Sequence, residues 1–146
     1  MGPLARSKAT LRIFGDELVP EEISRLLGAE PTSAHAKGPV LCKTSGRVVM
    51  RHSGLWRLKA IETAPECLDD QVSDLLGQLT QDLSVWSDIA SRFRIDLFCG
   101  WFMSSSNEGV EVSPETMLAL GRRHIQLSID IYEQDTPGDK QALPQA

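Results

Sequence analysis

The amino-acid sequence predicts an α+β domain in which an antiparallel or mixed sheet of about five or six strands carries its helices on one face. Two patterns support this prediction. Segments with apolar residues at every second position, typical of strands, occur among segments whose apolar residues recur at three- and four-residue steps, typical of helices. The chain has 146 residues, which is the usual length of a single domain.

The beginning of the chain predicts one strand and one short helix. We expect residues 1–9 to form a flexible arm, and residues 10–14 to form the first strand of a single domain that spans residues 10–133. Pro20 suits the first position of a helix, because its missing N–H is not needed there. Gly28 suits the left-handed position at which a helix ends.

The next segment predicts strands with short connections. Residues 33–45 contain a Gly-Pro pair and read as a loop or a short edge strand. Residues 47–51 and 54–61 are typical of two strands, and the short connection between them predicts a hairpin.

A long amphipathic stretch predicts helix over residues 68–90. Its leucines and other apolar residues recur on one side, which indicates a buried stripe. Gly77 and the polar residues 80–82 predict a kink or a division into two helices.

The last part of the domain predicts strand, helix and strand. Residues 93–101 are apolar enough for a central strand, and residues 125–131 alternate clearly. Between them, Ser113 suits the N-cap of a helix that has Pro114 at its first position and Gly121 at its end.

Two further features concern the chain as a whole. Residues 19–28 and 113–121 share a Pro-started, Gly-ended helix pattern, which suggests two related halves, although shared capping chemistry explains it equally well. Residues 134–146 are polar and interrupted by Pro and Gly, which predicts a disordered tail.

Composition excludes several protein classes. The net charge is −5 and the isoelectric point is about 5.2, which argues against a protein that coats nucleic acid but leaves a local basic patch open. The sequence contains no apolar stretch long enough to cross a membrane. The three cysteines have no Cys-x-x-Cys spacing, and the chain starts without a signal-peptide pattern, so we expect a reduced, cytoplasmic setting.

The ordered set of short motifs along the chain resembles the bacterial family catalogued as domain of unknown function 4279. The similarity covers roughly residues 10–133, and the resemblance implies a bacterial α+β domain without an assigned activity. The motifs that carry it are Leu11-Arg-Ile-Phe-Gly-Asp16, Pro20-Glu-Glu-Ile23, Leu26-Leu-Gly28, Glu30-Pro-Thr32, Lys37-Gly38, Gly54-Leu-Trp56, Asp96-Leu-Phe-Cys-Gly-Trp101, Ser113-Pro-Glu115 and Leu127-Ser-Ile-Asp-Ile-Tyr132. The sequence departs from the family pattern at Ala34-His35-Ala36.

The usual catalytic and cofactor patterns are missing from the sequence. Its histidines and cysteines lack the spacing of a metal site, and it has no Gly-x-Ser-x-Gly nucleophile motif. It also has no glycine-rich loop of the kind that holds phosphate. We therefore assign no catalytic, metal-binding or cofactor-binding residue and expect no cofactor.

A candidate polar patch involves two predicted strands. Asp96, Asp130 and Tyr132 occupy polar positions of these strands, and they would share a patch if the strands were neighbours. Close carboxylates shift each other's pKa values, which suits acid–base chemistry. The alternative is that the aspartates face solvent or pair with Arg12 or Arg94.

The order of charges is the most unusual feature of the sequence. Residues 61–91 contain seven acidic residues and no basic one. The preceding segment contains six basic residues and no acidic one, namely Lys37, Lys43, Arg47, Arg51, Arg57 and Lys59. With Trp56, this basic segment is a candidate surface for a charged protein or for phosphate backbones. The alternative is that the two segments lie together and neutralise each other.

These observations favour a non-enzymatic, cytoplasmic module that binds another protein, of the immunity or accessory type. One alternative is a small-molecule binder or small enzyme that uses Asp96, Asp130 and Tyr132. A second alternative is nucleic-acid binding through the basic segment 37–59. We expect no membrane partner, and the sequence leaves the oligomeric state open.

Overall fold

A five-stranded sheet runs through the middle of the computed structural model, which describes residues 2–4 and 6–133. In chain order, the elements are β1 Gly2–Pro3, β2 Arg6–Gly15, α1 Pro20–Leu27, β3 Ser33–His35, β4 Gly38–Leu41, β5 Val48–Arg51, β6 Gly54–Lys59, α2 Leu68–Gly77, α3 Leu83–Arg92, β7 Arg94–Phe102, β8 Glu108–Gly109, α4 Pro114–Arg122 and β9 Gln126–Tyr132.

The main sheet is mixed, and the predicted α+β class is confirmed. Its strand order is β3-β6-β2-β7-β9, and every neighbouring pair is antiparallel except β7 and β9. The parallel pair needs a crossover, which α4 provides between the end of β7 and the start of β9. Two small sheets are separate: β4 pairs with β5, and β1 pairs with β8.

The helices pack on one face of the main sheet, as predicted. Side chains alternate between the two faces of a strand, and the four residues Ser7, Ala9, Leu11 and Ile13 of β2 are all buried on the helix side. We call this side the covered face. Its core joins strand residues to residues of α1, α2 and α3, which include Ile23, Leu27, Val72, Leu75, Trp86 and Ile89.

The helix ends follow local signals in the sequence. α1 begins at Pro20 and is followed by the capping residue Gly28, whose φ of 77° lies in the left-handed region that glycine adopts without strain. α4 begins after Ser113, whose hydroxyl accepts a hydrogen bond from the N–H of Thr116. The stretch 68–90 is divided into α2 and α3, and the Asp82 carboxylate caps α3 through the N–H of Ser84.

The first strand starts earlier than the sequence predicted. Residues 6–9, which we expected in a flexible arm, form the beginning of β2 and pair with β7. Ser7 and Ala9 are small, so the alternation that identifies a strand is weak there, although both side chains are buried. Gln71 of α2 holds this part of the strand, because its amide donates to the Ser7 carbonyl and accepts from the Ser7 hydroxyl.

The predicted hairpin of residues 47–61 is wrong, although both strands exist. β5 pairs with β4, whereas β6 lies between β3 and β2 in the main sheet. Burial explains the difference. Trp56 and Leu58 of β6 are buried on the covered face, while all four residues of β5 are exposed. The central position therefore goes to the strand that removes more apolar surface from water.

The suggested repeat of two halves is not confirmed. In the second half β9 pairs directly with β7, whereas β3 is separated from β2 by β6. The predicted disordered tail, residues 134–146, lies outside the described residues.

Candidate functional site: the open face of the sheet

The side of the main sheet opposite the helices is the candidate site, and we call it the open face. The strand register assigns to it the even-numbered residues of β2, β7 and β9 and the odd-numbered residues of β3 and β6. Most of these side chains are exposed or partly exposed, whereas the alternate residues of β2 are buried against the helices.

The open face is strongly basic in a protein of negative net charge. It carries two carboxylates, Asp96 and Asp130, against six cationic side chains. The cations are Arg6, Lys8, Arg12, Arg57, Lys59 and Arg94. The helices on the other side of the sheet carry many of the acidic residues, including Glu21, Glu22, Asp69, Asp70, Asp74 and Asp88. The two faces of the sheet therefore have opposite charge.

Arg12 and Asp96 form the centre of the open face. The guanidinium donates from Nε and Nη2 to the two carboxylate oxygens, at 2.8 and 2.6 Å. The Ser128 hydroxyl donates to the same carboxylate at 3.2 Å. Asp96 is only 5% exposed, and its hydrogen bonds raise the pKa of Arg12 above the ordinary value. Both oxygens of Asp96 are therefore engaged.

Aromatic rings lie among the cations. The Arg12 guanidinium lies 4.5 Å from the centre of the Phe98 ring, and the Arg6 guanidinium lies 4.2 Å from that of Phe102. Phe102 stacks on Tyr132, with ring centres 4.8 Å apart and planes 10° apart. The guanidinium groups of Arg6 and Arg12 therefore lie over the faces of these rings as cation–π contacts.

A cleft of about 260 Å³ lies on this part of the open face. Its basic walls are Lys8, Arg12 and Arg57, and its aromatic walls include Phe98 and Tyr132. The Arg57 guanidinium is held by the Ser33 hydroxyl, which accepts from Nε and Nη2 at 2.9 and 2.8 Å. The cleft suits a group that combines negative charge with a flat or apolar surface.

The predicted polar patch is only partly assembled. β7 and β9 are neighbours, and Asp96, Asp130 and Tyr132 all lie on the open face. The register places Asp96 opposite Gln126 and Asp130 opposite Gly100, so the two carboxylates are four positions, or about 13 Å, apart along the strands. Asp130 instead raises the pKa of Tyr132 through a hydrogen bond and its negative charge. The geometry does not form a carboxylate pair for acid–base chemistry.

The predicted basic surface of residues 37–59 is dispersed over the fold. Arg57 and Lys59 lie on the open face, while Lys43, Arg47 and Arg51 are exposed on or beside the β4–β5 hairpin. Lys37 forms an ion pair with Asp16 at 3.2 Å. Trp56 cannot contribute to such a surface, because it is fully buried on the covered face and its indole N–H donates to Ser24.

The basic and acidic segments do not neutralise each other. Among the described residues, no ion pair joins residues 37–59 to residues 61–91. The sheet explains this. Arg57 and Lys59 point away from the side on which α2 and α3 pack, so the sheet separates them from the acidic residues of these helices. Glu62, which precedes α2, instead pairs with Lys8 of the open face at 3.8 Å.

One family accounts for nearly the whole chain. The sequence model of the family described as Domain of unknown function (DUF4279) matches residues 5–134. The chain belongs to this family. The match includes all five strands of the main sheet, and it confirms the resemblance drawn from the sequence motifs. Neither a curated protein nor a solved structure matches the chain significantly.

Within residues 2–4 and 6–133, no three His, Cys, Asp or Glu side chains cluster closely enough to hold a metal ion. None of the helices in those ranges is long and apolar enough to pass through a membrane.

Several residues of the open face were missed in the sequence, especially Arg6, Lys8 and Phe98. A signal for the first two exists, because the even-numbered residues 6–14 are basic, aromatic or threonine, whereas the odd-numbered ones are small or aliphatic. The small residues Ser7 and Ala9 concealed this alternation. Phe98 alternates with the apolar residues of its strand in step with Arg94 and Asp96, so a signal for its side of the strand also exists in the sequence.

Proposed function

We propose that the protein is a non-enzymatic binding module of the immunity or accessory type, which binds an acidic partner protein through the open face of its sheet. The observation that carries this proposal is the set of six cations around partly exposed aromatic rings on the uncovered face. Complementary charge accelerates association and excludes partners of the wrong charge.

The size of the open face fits a protein partner. Five strands about 4.8 Å apart and about seven residues long present roughly 500–600 Å². One side of an average protein interface covers about 800 Å². The β4–β5 hairpin extends the surface, because a cleft of about 300 Å³ lined by Phe14, His35, Met50 and Leu55 lies between it and the open face.

The composition of the face also fits a protein interface. Arginine and aromatic residues are enriched at interface centres, where they supply much of the binding energy. Arg12 and Phe98 lie near the middle of the face, and the more exposed Lys8, Lys59 and Arg94 lie around them. This arrangement corresponds to a partly desolvated centre with a charged rim.

The test is capture of a partner from the native host by the wild-type protein and by two double variants, at low and high salt. Lys8→Glu with Lys59→Glu reverses charge on the open face, and Arg25→Glu with Arg122→Glu makes the same net change on exposed helix positions. We expect the first variant to lose at least about tenfold in affinity. We expect the control to bind like the wild type, and high salt to weaken binding.

Three results would contradict the proposal: no acidic protein is captured, a captured protein binds both variants equally, or binding is insensitive to salt. Circular dichroism melting curves of both variants establish that they are folded. An affinity measured with the purified partner then replaces capture as the readout.

A second candidate is binding of single-stranded nucleic acid on the same face. The observation that favours it is the position of Phe98 and Tyr132 beside cations in one cleft, since bases stack on aromatic rings while cations hold phosphates. Titration with labelled single-stranded oligonucleotides tests it. Phe98→Ala should weaken binding, whereas Arg47→Ala with Arg51→Ala on the hairpin should not. If Arg47→Ala with Arg51→Ala weakened binding and Phe98→Ala did not, the oligonucleotide would bind to the hairpin and not to the open face.

A further inference from the structure

β9 is an open edge of the main sheet. It has seven residues, and within residues 2–4 and 6–133 it pairs only with β7. Edge strands usually carry protection against pairing with another chain, such as short length, Pro, Lys or a bulge. The opposite edge strand, β3, is short, with three residues. β9 contains no proline and no basic residue, and its single charged residue is Asp130.

We propose that a second copy of this chain pairs with β9, in an antiparallel register centred on Ile129, so that two main sheets join into one. This interaction uses the backbone edge of β9 and its covered-face side chains, whereas the proposed function uses the side chains of the open face.

The backbone of β9 is oriented for this pairing. The N–H of Met103 donates to the Tyr132 carbonyl at 3.2 Å, so the backbone groups of Tyr132 face the β7 side. The N–H and C=O of one strand residue point to the same side, and those of the next residue point to the other. Leu127, Ile129 and Ile131 therefore direct their backbone donors and acceptors away from β7, towards the free edge.

The register centred on Ile129 is self-complementary. Ile129 is the middle residue of β9, so this register pairs the entire strand. Ile129 lies opposite Ile129 of the second copy, and Leu127 lies opposite Ile131, so the outward backbone groups meet as hydrogen-bonded pairs. Asp130 lies opposite Ser128. A register centred on Asp130 would instead place two carboxylates directly opposite each other, which is unfavourable.

The side chains near this edge also lack a complete cover. Ile129 and Ile131, on the covered face, are 41% and 60% exposed. Met117 and Leu118 of the neighbouring helix α4 are 56% and 53% exposed. Pairing of two β9 strands would place the apolar stripe Leu127-Ile129-Ile131 beside the same stripe of the second copy, and the apolar area removed from water would stabilise the dimer.

The first experiment measures the oligomeric state of the full chain by light scattering and sedimentation over the micromolar range. We expect a dimer for the wild type. Ile129→Lys would place two ammonium groups opposite each other and should give a monomer with an unchanged circular dichroism spectrum. Val49→Lys makes the same change at an exposed apolar position of β5 and should leave the dimer intact.

The second experiment tests the register by cross-linking. In a background with Cys42→Ser and Cys67→Ser, only the buried Cys99 remains. Ile129→Cys should then form a disulfide-linked dimer under mild oxidation, because opposed strand residues have Cα atoms about 5.5 Å apart. Ile131→Cys is the matched control and should not cross-link, since its two copies would lie about 13 Å apart along the strands.

A monomeric wild type overturns the proposal and leaves the β9 edge to another occupant. The proposal is also overturned if Val49→Lys disrupts the dimer while Ile129→Lys leaves it intact. It is overturned as well if the cysteine at position 131 cross-links in preference to the one at position 129. None of these results depends on partner binding, so they are independent of the test of the open face.

Discussion

The Arg12 guanidinium and the Asp96 carboxylate meet across β2 and β7, with both carboxylate oxygens accepting from the guanidinium at 2.8 and 2.6 Å. They are 84 residues apart in the sequence and directly opposite each other in the register. The pair lies in the middle of the open face, between Phe98 and Phe14. It holds a positive group in place without leaving its partner carboxylate free to repel an acidic ligand.

We expect the two members of this pair to be strongly coupled. Arg12→Met leaves a nearly buried carboxylate without its partner, and it should lower the free energy of unfolding by about 2 kcal/mol. This is less than the loss expected on breaking a fully buried ion pair, because Arg12 is partly exposed. The double variant, in which Asp96→Asn is added to Arg12→Met, should regain part of the lost stability. Urea unfolding of the four proteins in the cycle measures the coupling. Strictly additive effects of the two substitutions would contradict it.

Gln71 should be essential to the beginning of β2. Its amide donates to the carbonyls of Ser7 and Ile61 at 3.1 and 2.9 Å. Gln71→Leu removes both donors and the acceptor of the Ser7 hydroxyl, so it should cost about 2–3 kcal/mol of stability.

Gln78→Leu, at an exposed position after the same helix, is the control and should change the free energy of unfolding by less than about 0.5 kcal/mol. Thermal or urea unfolding of both variants measures the difference. Equal stability of the two variants would show that the Gln71 contacts contribute little.

Asp69 should make the attachment of α4 to α2 dependent on pH. Its carboxylate accepts from the Thr116 hydroxyl at 2.7 Å and from the Ser113 N–H at 3.1 Å, which lowers its pKa in the folded protein. Because the pKa in the unfolded chain is higher, about 3.9, the stabilisation is present above that pH and is lost as the pH falls through the folded-state pKa.

Asp69→Asn should therefore destabilise the protein by about 1 kcal/mol near neutral pH and by less in acid. Asp70→Asn, in the same helical turn, is the control for the favourable interaction of negative charge with the helix N-terminus. Unfolding curves between neutral pH and about pH 3 measure both. A difference between the two variants that does not change with pH would rule out the charge of Asp69 as the cause.

Cys42 should be the most reactive of the three cysteines. Hydrogen bonds from Ser45 and Thr44 lower the pKa of its thiol to about 6, whereas burial raises the pKa of Cys99 to about 12. The thiolate is the nucleophile, so iodoacetamide at pH 7 should label Cys42 first, with a rate that is half-maximal near pH 6.

Mass spectrometry of the labelled peptides measures this order. Ser45→Ala with Thr44→Val should move the midpoint of the Cys42 rate towards the ordinary thiol value of about 8.5. If Cys99 were labelled as fast as Cys42 in the folded protein, the assignment would be wrong.

Much of the secondary structure could be predicted because its signals are local. Pro20 and Gly28 mark the two ends of α1, and Ser113 with Pro114 marks the start of α4. The division between α2 and α3 also follows from nearby residues. The start of β2 could not be predicted as well, since Ser7 and Ala9 give no apolar alternation and their burial depends on Gln71, 64 residues away from Ser7.

The candidate site could be predicted only in part. Asp96 was expected either in a carboxylate patch or paired with Arg12 or Arg94, and the structure pairs it with Arg12. The basic segment was recognised as a cluster in sequence, but a strand sends its alternate residues to opposite faces, so Trp56 is buried while Arg57 is exposed to the open face.

The sequence by itself determined the helices, most of the strands, the α+β class and the family, because periodicity, capping and short motifs act over a few residues or a turn. The tertiary structure decided the strand order, and with it the separation of basic and acidic charges onto the two faces of the sheet. That order depends on which strands bury the most apolar surface together. Contacts between neighbouring strands join residues far apart in the sequence, as Arg12 and Asp96 do across 84 positions.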